Sequence, residues 1–172
     1  MRNYKQQILK MVKTEQALRM KYLKSFDEKD LRKVNAVDKE NREEFKKIFR
    51  ETGYISSEHG KDVQLAAFLL VQHMPKEDLF FMKKYLSLMK EDLENINPVN
   101  YAQLADRVRI YEGKEQMYGT QFELVDKDRN LYRLKEIYNY HSVDKRREKI
   151  GLEPLRKYIK KLSKERGIRI EM

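Results

Sequence analysis

Three stretches of this sequence put polar side chains where a packed core would take apolar ones. The first is Gln72-His73, which closes the apolar run "VQLAAFLLVQH". The dipole at a helix C-terminus favours a charged imidazole, so His73 is a candidate general acid or anion binder. A cap on the last helical carbonyls is its competing structural role. The second stretch is Asp106-Arg107, flanked by Leu104 and Val108. Both residues border the stripe formed by Leu104, Val108 and Tyr111. A guanidinium at the edge of a core can grip a carboxylate or phosphate with two prongs. An internal ion pair to a neighbouring helix is the plainer alternative. The third stretch is "EGKEQMYGTQFELVD", residues 112–126, in which Gln116, Tyr118, Thr120 and Gln121 crowd around Gly119. Amides and a phenol supply little acid–base chemistry at neutral pH; they orient and recognise. Satisfying buried backbone groups in a hairpin would use them equally well.

Each stretch needs an element to position it. Apolar spacings of three and four predict a first helix from Asn3 to Lys24, and a second capped by Asp27 and ended by Gly53. Asp30 stands three residues after Asp27, in the place of a capping-box Glu or Gln. The third helix is the most apolar and carries His73 in or near its last turn, because Pro75 disfavours helical geometry at Met74. A fourth runs from Lys76 to Glu94. A fifth has Asn97 as N-cap, Pro98 at its first position and Gly113 at its C-terminal end.

The period then changes. "QMYGTQFELV", the turn "DKDRN" and "LYRLKEIY" read as a β-hairpin. On that strand Gln116, Tyr118 and Thr120 share one face, and Met117 and Gln121 the other. Ile137 falls out of phase on the second strand, which marks a bulge there. Two short helices, "SVDKRREKIG" and "LEPLRKYIKKL", follow, and the final "GIRIEM" is expected to fray. The fold class is mainly α (α+β): a single domain over 1–172, with six to seven helices and one small β-hairpin.

Bulk properties bound the function. The chain has 172 residues and no cysteine, which excludes disulfides and thiolate metal sites. There is no apolar run long enough for a membrane span, and "MRNYKQQILKMVK" lacks the features of a signal peptide. The expectation is a soluble, cytoplasmic protein without a membrane partner. The net charge is +10, and residues 1–24 and 143–172 each carry +6. Such termini attract phosphate polymers, although a lysine-rich solvated surface looks the same in sequence. His59, His73 and His141 show no metal-ligand spacing, and no phosphate-binding glycine loop or nucleophile elbow is present. No metal is therefore assigned, and the cofactor and oligomeric state stay open.

Several motifs occur together: "LLVQH" at 69–73, "AQLADRV" at 102–108 and "QMYGTQ" at 116–121. With "EQALR" at 15–19, "VDKEN" at 37–41 and "VDKRREKIGLEPLRKY" at 143–158, the chain resembles an uncharacterised bacterial domain family over roughly residues 14–160. The resemblance implies a helical domain and brings no established activity. It implies that Glu15, Gln16, Arg19, Asp38, Asn41, Gln72, His73, Asp106, Arg107, Gln116, Tyr118, Gly119, Thr120, Gln121, Arg146 and Arg147 are the residues to test. The sequence departs from the family after "QH": "MP" replaces the usual "AD", and Phe81 takes the place of a glutamine.

Two functional readings follow. In the first, a small anionic ligand binds where helix ends meet the hairpin, and the site is catalytic or purely binding. His73, Arg107 and Asp106 are its catalytic candidates. Gln72, Gln116, Tyr118, Thr120, Gln121, Arg146 and Arg147 are its ligand-binding candidates. In the second, the basic terminal helices bind nucleic acid or an acidic partner. A structural hydrogen-bond network in a scaffold protein would explain the same polar residues without a ligand.

Overall fold

The computed structural model describes residues 3–172. The chain divides into two compact units, Met1–Ile96 and Asn97–Met172.

The first unit is helical. α1 (Tyr4–Ser25) starts at Asn3, whose side chain accepts from the Gln6 N–H, and α2 (Glu28–Thr52) starts at Asp27, whose side chain accepts from the Lys29 N–H. Phe26 takes a left-handed conformation, φ 49°, and turns the chain between them. Asp30 does not complete a capping box. Its carboxylate sits instead between Lys21 Nζ at 2.8 Å and Ser25 Oγ at 3.2 Å. α3 (Lys61–Gln72) packs on α1 and α2, and α4 (Leu79–Glu91) follows a 3-10 turn at Lys76–Asp78. The apolar stripes supply the core: Ile8 and Val12, then Val34, Phe45 and Ile48, then Val63, Ala67 and Val71, then Met82 and Met89. Phe81 stands edge-on to Phe45 at 6.3 Å and to Phe49 at 5.0 Å, so an aromatic cluster absorbs the position where the resembled family has an amide.

The second unit is α+β. α5 (Pro98–Tyr111) begins with the Asn97 side chain accepting from the Val99 N–H, and has Pro98 in its first turn. β1 (Phe122–Asp126) and β2 (Leu131–Leu134) pair antiparallel through a turn in which Asp126 Oδ1 accepts from the N–H groups of Asp128 and Arg129. The irregularity in this hairpin lies between Leu124 and Asp126. Ile137 is out of phase because β2 has already ended at Leu134. α6 (Val143–Glu148) and α7 (Leu155–Arg166) follow, tied by the Asp144 carboxylate accepting from the Leu155 N–H at 2.7 Å. Ile137, Val143, Leu155 and Ile159 form the buried centre, with Phe122, Leu134, Tyr158 and Ile170 against it.

Two local expectations are overturned. Residues 116–121 are not strand: the regular pairing begins at Phe122, and before it only Gln116 makes an isolated bridge, to Ile137. The alternation of faces assigned to Gln116, Tyr118 and Thr120 therefore does not exist. The C-terminal residues do not fray either. Arg169–Glu171 form β3, which pairs parallel to β2 and makes a three-stranded sheet of order β1-β2-β3. The mainly α architecture with a small β element stands. Among the described residues, no helix is long and apolar enough to cross a membrane.

Candidate functional site

In the first unit, three helices bring four ionisable side chains into a row. Glu15 occupies a stripe position on α1, three residues beyond Val12, and its carboxylate is buried, with 1% side-chain exposure. His73 is the C-cap residue of α3, and its ring is 19% exposed. His73 Nδ1 and Glu15 Oε1 share a short hydrogen bond, in which the carboxylate accepts and Nδ1–H donates. Arg19, one turn along α1, donates from Nη2 to Glu15 Oε1 at 2.8 Å and to both Asp38 oxygens, at 2.8 and 3.0 Å. The order is therefore His73, Glu15, Arg19, Asp38.

The two carboxylates respond differently. Burial acts to raise the Glu15 pKa, but the hydrogen bonds and charges of His73 and Arg19 outweigh it and hold the group below its ordinary value. Asp38 is raised: burial dominates, and the Glu15 charge adds to it against the pull of Arg19. Two carboxylates sharing one guanidinium thus divide the benefit unequally. Glu15, bonded on two sides, stays the firm anion.

A hollow of about 10 Å³ opens beside this row, lined by Glu15, Asp38, Asn41, Arg42, Leu70, His73 and Met74. That volume is about the least that admits one water molecule. Asn41 points its amide back to the Met11 carbonyl at 3.4 Å. Arg42 Nε faces Asp78 Oδ2 at 3.3 Å, and Lys46 holds the other Asp78 oxygen at 2.5 Å. Gln72 is buried, and its Oε1 has no hydrogen-bond partner among the described residues. His73 Nε2 likewise carries no hydrogen bond there, while its ring keeps an exposed edge.

The remaining predicted residues belong to the second unit, where they form a knot around one carboxylate. Asp106 is 0% exposed. It accepts from the N–H groups of Met117 at 2.7 Å, Tyr118 at 3.0 Å and Thr120 at 3.0 Å, and from Thr120 Oγ1 at 2.9 Å. Burial raises the Asp106 pKa, and these donors oppose it. Gln116, also 0% exposed, donates to the carbonyls of Gln121 and Lys135, while its oxygen accepts from the Gln121 N–H at 2.8 Å. The Gln121 amide donates to the Gln103 carbonyl at 3.1 Å.

Arg146 donates to the carbonyls of Met117, Tyr138 and Asn139. Arg147, 1% exposed, donates to the carbonyls of Tyr118 and Glu153 and lies over the Tyr158 ring at 4.9 Å. Gly119, at φ 75°, lets this loop pass Leu155, whose Cδ1 would stand 2.5 Å from an added Cβ. The Tyr118 phenol is pushed up to about 12 by burial and sits edge-on to Tyr101 at 6.2 Å. Arg107 has a buried Nε with no hydrogen-bond partner among the described residues. A wider groove of about 480 Å³ passes between Lys114, Glu115, Glu123 and Lys135. Its charges answer one another, with Lys135 on Glu123 at 3.2 Å and Arg133 on Glu123 at 3.7 Å.

His73 and Gln72 thus belong to one unit, and Asp106, Arg107, Gln116, Tyr118, Thr120, Gln121, Arg146 and Arg147 to the other. Arg42 was missed from sequence, and Glu15, Arg19, Asp38 and Asn41 stood out only through the family resemblance. A local signal for three of them does exist. Ile8, Val12 and Glu15 follow one stripe, and Val34, Asp38, Asn41 and Phe45 another, so polar residues interrupt both stripes at helical spacing. No curated protein and no solved structure matches this chain. A family model described as a family of unknown function (DUF6624) matches residues 2–171, and the chain belongs to that family.

Proposed function

We propose that the first unit carries a small-ligand site at which His73 transfers protons as general acid and base. One observation carries the reading: a buried carboxylate, Glu15, takes Nδ1 and leaves Nε2 without a partner among the described residues, on a ring with an exposed edge. A carboxylate on one imidazole nitrogen fixes the tautomer and the ring orientation, so the other nitrogen becomes the working atom. Arg19, itself held by Asp38, keeps Glu15 in place and ionised. Among the described residues no hydroxyl or thiol lines the hollow, and the lining supports proton transfer to or from a bound ligand or water.

In this reading the knot around Asp106 is a scaffold. Its amides, carboxylate and two guanidinium groups are spent on backbone partners, which suits holding a loop rather than exchanging ligands. Arg146 and Arg147 then position the loop rather than hold an anion.

The test is hydrolysis of p-nitrophenyl acetate, a small activated ester, by wild type and His73→Gln. The expected result is a fall of about tenfold in the variant, short of the ~10²–10⁴ of a matched substrate, with an unchanged far-UV circular dichroism spectrum. Equal rates, or a variant that unfolds, would overturn the reading.

A further inference from the structure

We propose that the exposed face of α7 binds the phosphodiester backbone of a nucleic-acid duplex. This surface is independent of the His73 site. Arg156, Lys157, Lys160, Lys161, Lys164 and Arg166 are all exposed, and Glu165 is the one acid exposed on the helix. Among the described residues, the one ion pair these six make is Lys157 with Glu153 at 3.7 Å. The basic end of α1 differs, because Arg19 is bound by Glu15 and Asp38, and Lys21 by Asp30. Equal charge in the two terminal segments is therefore unequally available.

Geometry selects the partner. Arg156, Lys160 and Lys164 recur every four residues, with Lys157 and Lys161 beside them, so the charges form one stripe. At a rise of about 1.5 Å per residue the stripe is about 12 Å long. One strand of a duplex places a phosphate about every 3.4 Å of axis, so three or four phosphates fall within reach. The apolar side of α7, Leu155, Ile159 and Leu162, is buried and unavailable for insertion into a bilayer. The exposed face has no aromatic side chain on which unpaired bases could stack, since Tyr158 lies against Arg147. These features suit sequence-independent contact with a regular row of phosphates.

The experiment measures binding of the full chain to a fluorescent random-sequence DNA duplex between about 50 and 200 mM salt. Three proteins are compared: wild type, the combined Lys160→Ala, Lys161→Ala, Lys164→Ala variant, and a charge-matched Lys10→Ala, Lys13→Ala, Lys24→Ala variant of α1. Alanine is a strong helix former, so the far-UV spectrum should persist in both variants. The α7 variant should bind more weakly, with its log–log salt slope reduced by about 2.7, about 0.9 per lost phosphate contact. The α1 variant should keep the wild-type slope. Several results would each overturn the proposal: equal effects of the two variants, no duplex binding by wild type, or tighter binding to a single strand or to phosphatidylserine vesicles.

Discussion

Replacing Glu15 by glutamine keeps the side-chain shape and removes the charge, and its cost can be worked from the contacts. The Glu15 carboxylate accepts from His73 Nδ1 and from Arg19, through Nη2 at 2.8 Å and Nε at 3.3 Å. Hydrogen bonds to a charged group contribute about 1.5–3 kcal/mol and neutral ones about 0.5–1.5, so weakening the contacts to the two partners, His73 and Arg19, loses about 2 kcal/mol together. A neutral amide is cheaper to bury, which returns part of that, and the net expectation is about 1 kcal/mol. Glu15→Ala removes the acceptor altogether. It should cost about 3 kcal/mol, the low end for a broken buried pair, because Arg19 keeps Asp38.

Glu15 has a folded pKa below its ordinary 4.5. Its contribution is therefore fully present above that value and is lost as pH falls through the folded value. The gap between wild type and Glu15→Gln should be present at neutral pH and should close in acid. Urea unfolding followed by far-UV circular dichroism measures this at each pH, with an unchanged m-value confirming comparable states. A glutamine variant as stable as wild type at neutral pH, or a gap that persists in acid, would refute the reasoning.

The knot of the second unit should loosen when either its glycine or its carboxylate is changed. Gly119→Ala meets both a positive φ and a Cβ 2.5 Å from Leu155 Cδ1, so it should destabilise by about 2–4 kcal/mol. Asp106→Asn sets an amide against the three N–H donors of Met117, Tyr118 and Thr120 and should cost about 3 kcal/mol. Both variants should raise hydrogen exchange at the amides of Met117, Tyr118 and Thr120; unchanged protection there would contradict the assigned network.

How much of this was legible in the sequence depends on where each partner lies. Caps at Asp27 and Asn97 were readable because donor and acceptor sit within two residues of each other. The loop at 116–121 was not, because its N–H groups are taken by Asp106, a residue 11 to 14 positions away, while its polar alternation imitates a strand. β3 was hidden for a similar reason. Three terminal residues carry little local signal, and their order comes from parallel pairing with β2. In the candidate site His73 stood out by its place at the end of an apolar helix. Its partner Glu15 is 58 residues distant, and periodicity marks it only as a carboxylate out of place in an apolar stripe.

The central claim is that His73 holds its proton on Nδ1 for Glu15 and keeps Nε2 for a ligand. Nitrogen-15 chemical shifts of the His73 ring in its neutral state test this most directly. The account predicts a protonated Nδ1 and a bare Nε2 in wild type, with mixed tautomers in Glu15→Gln. A wild-type ring bearing its proton on Nε2 would contradict it.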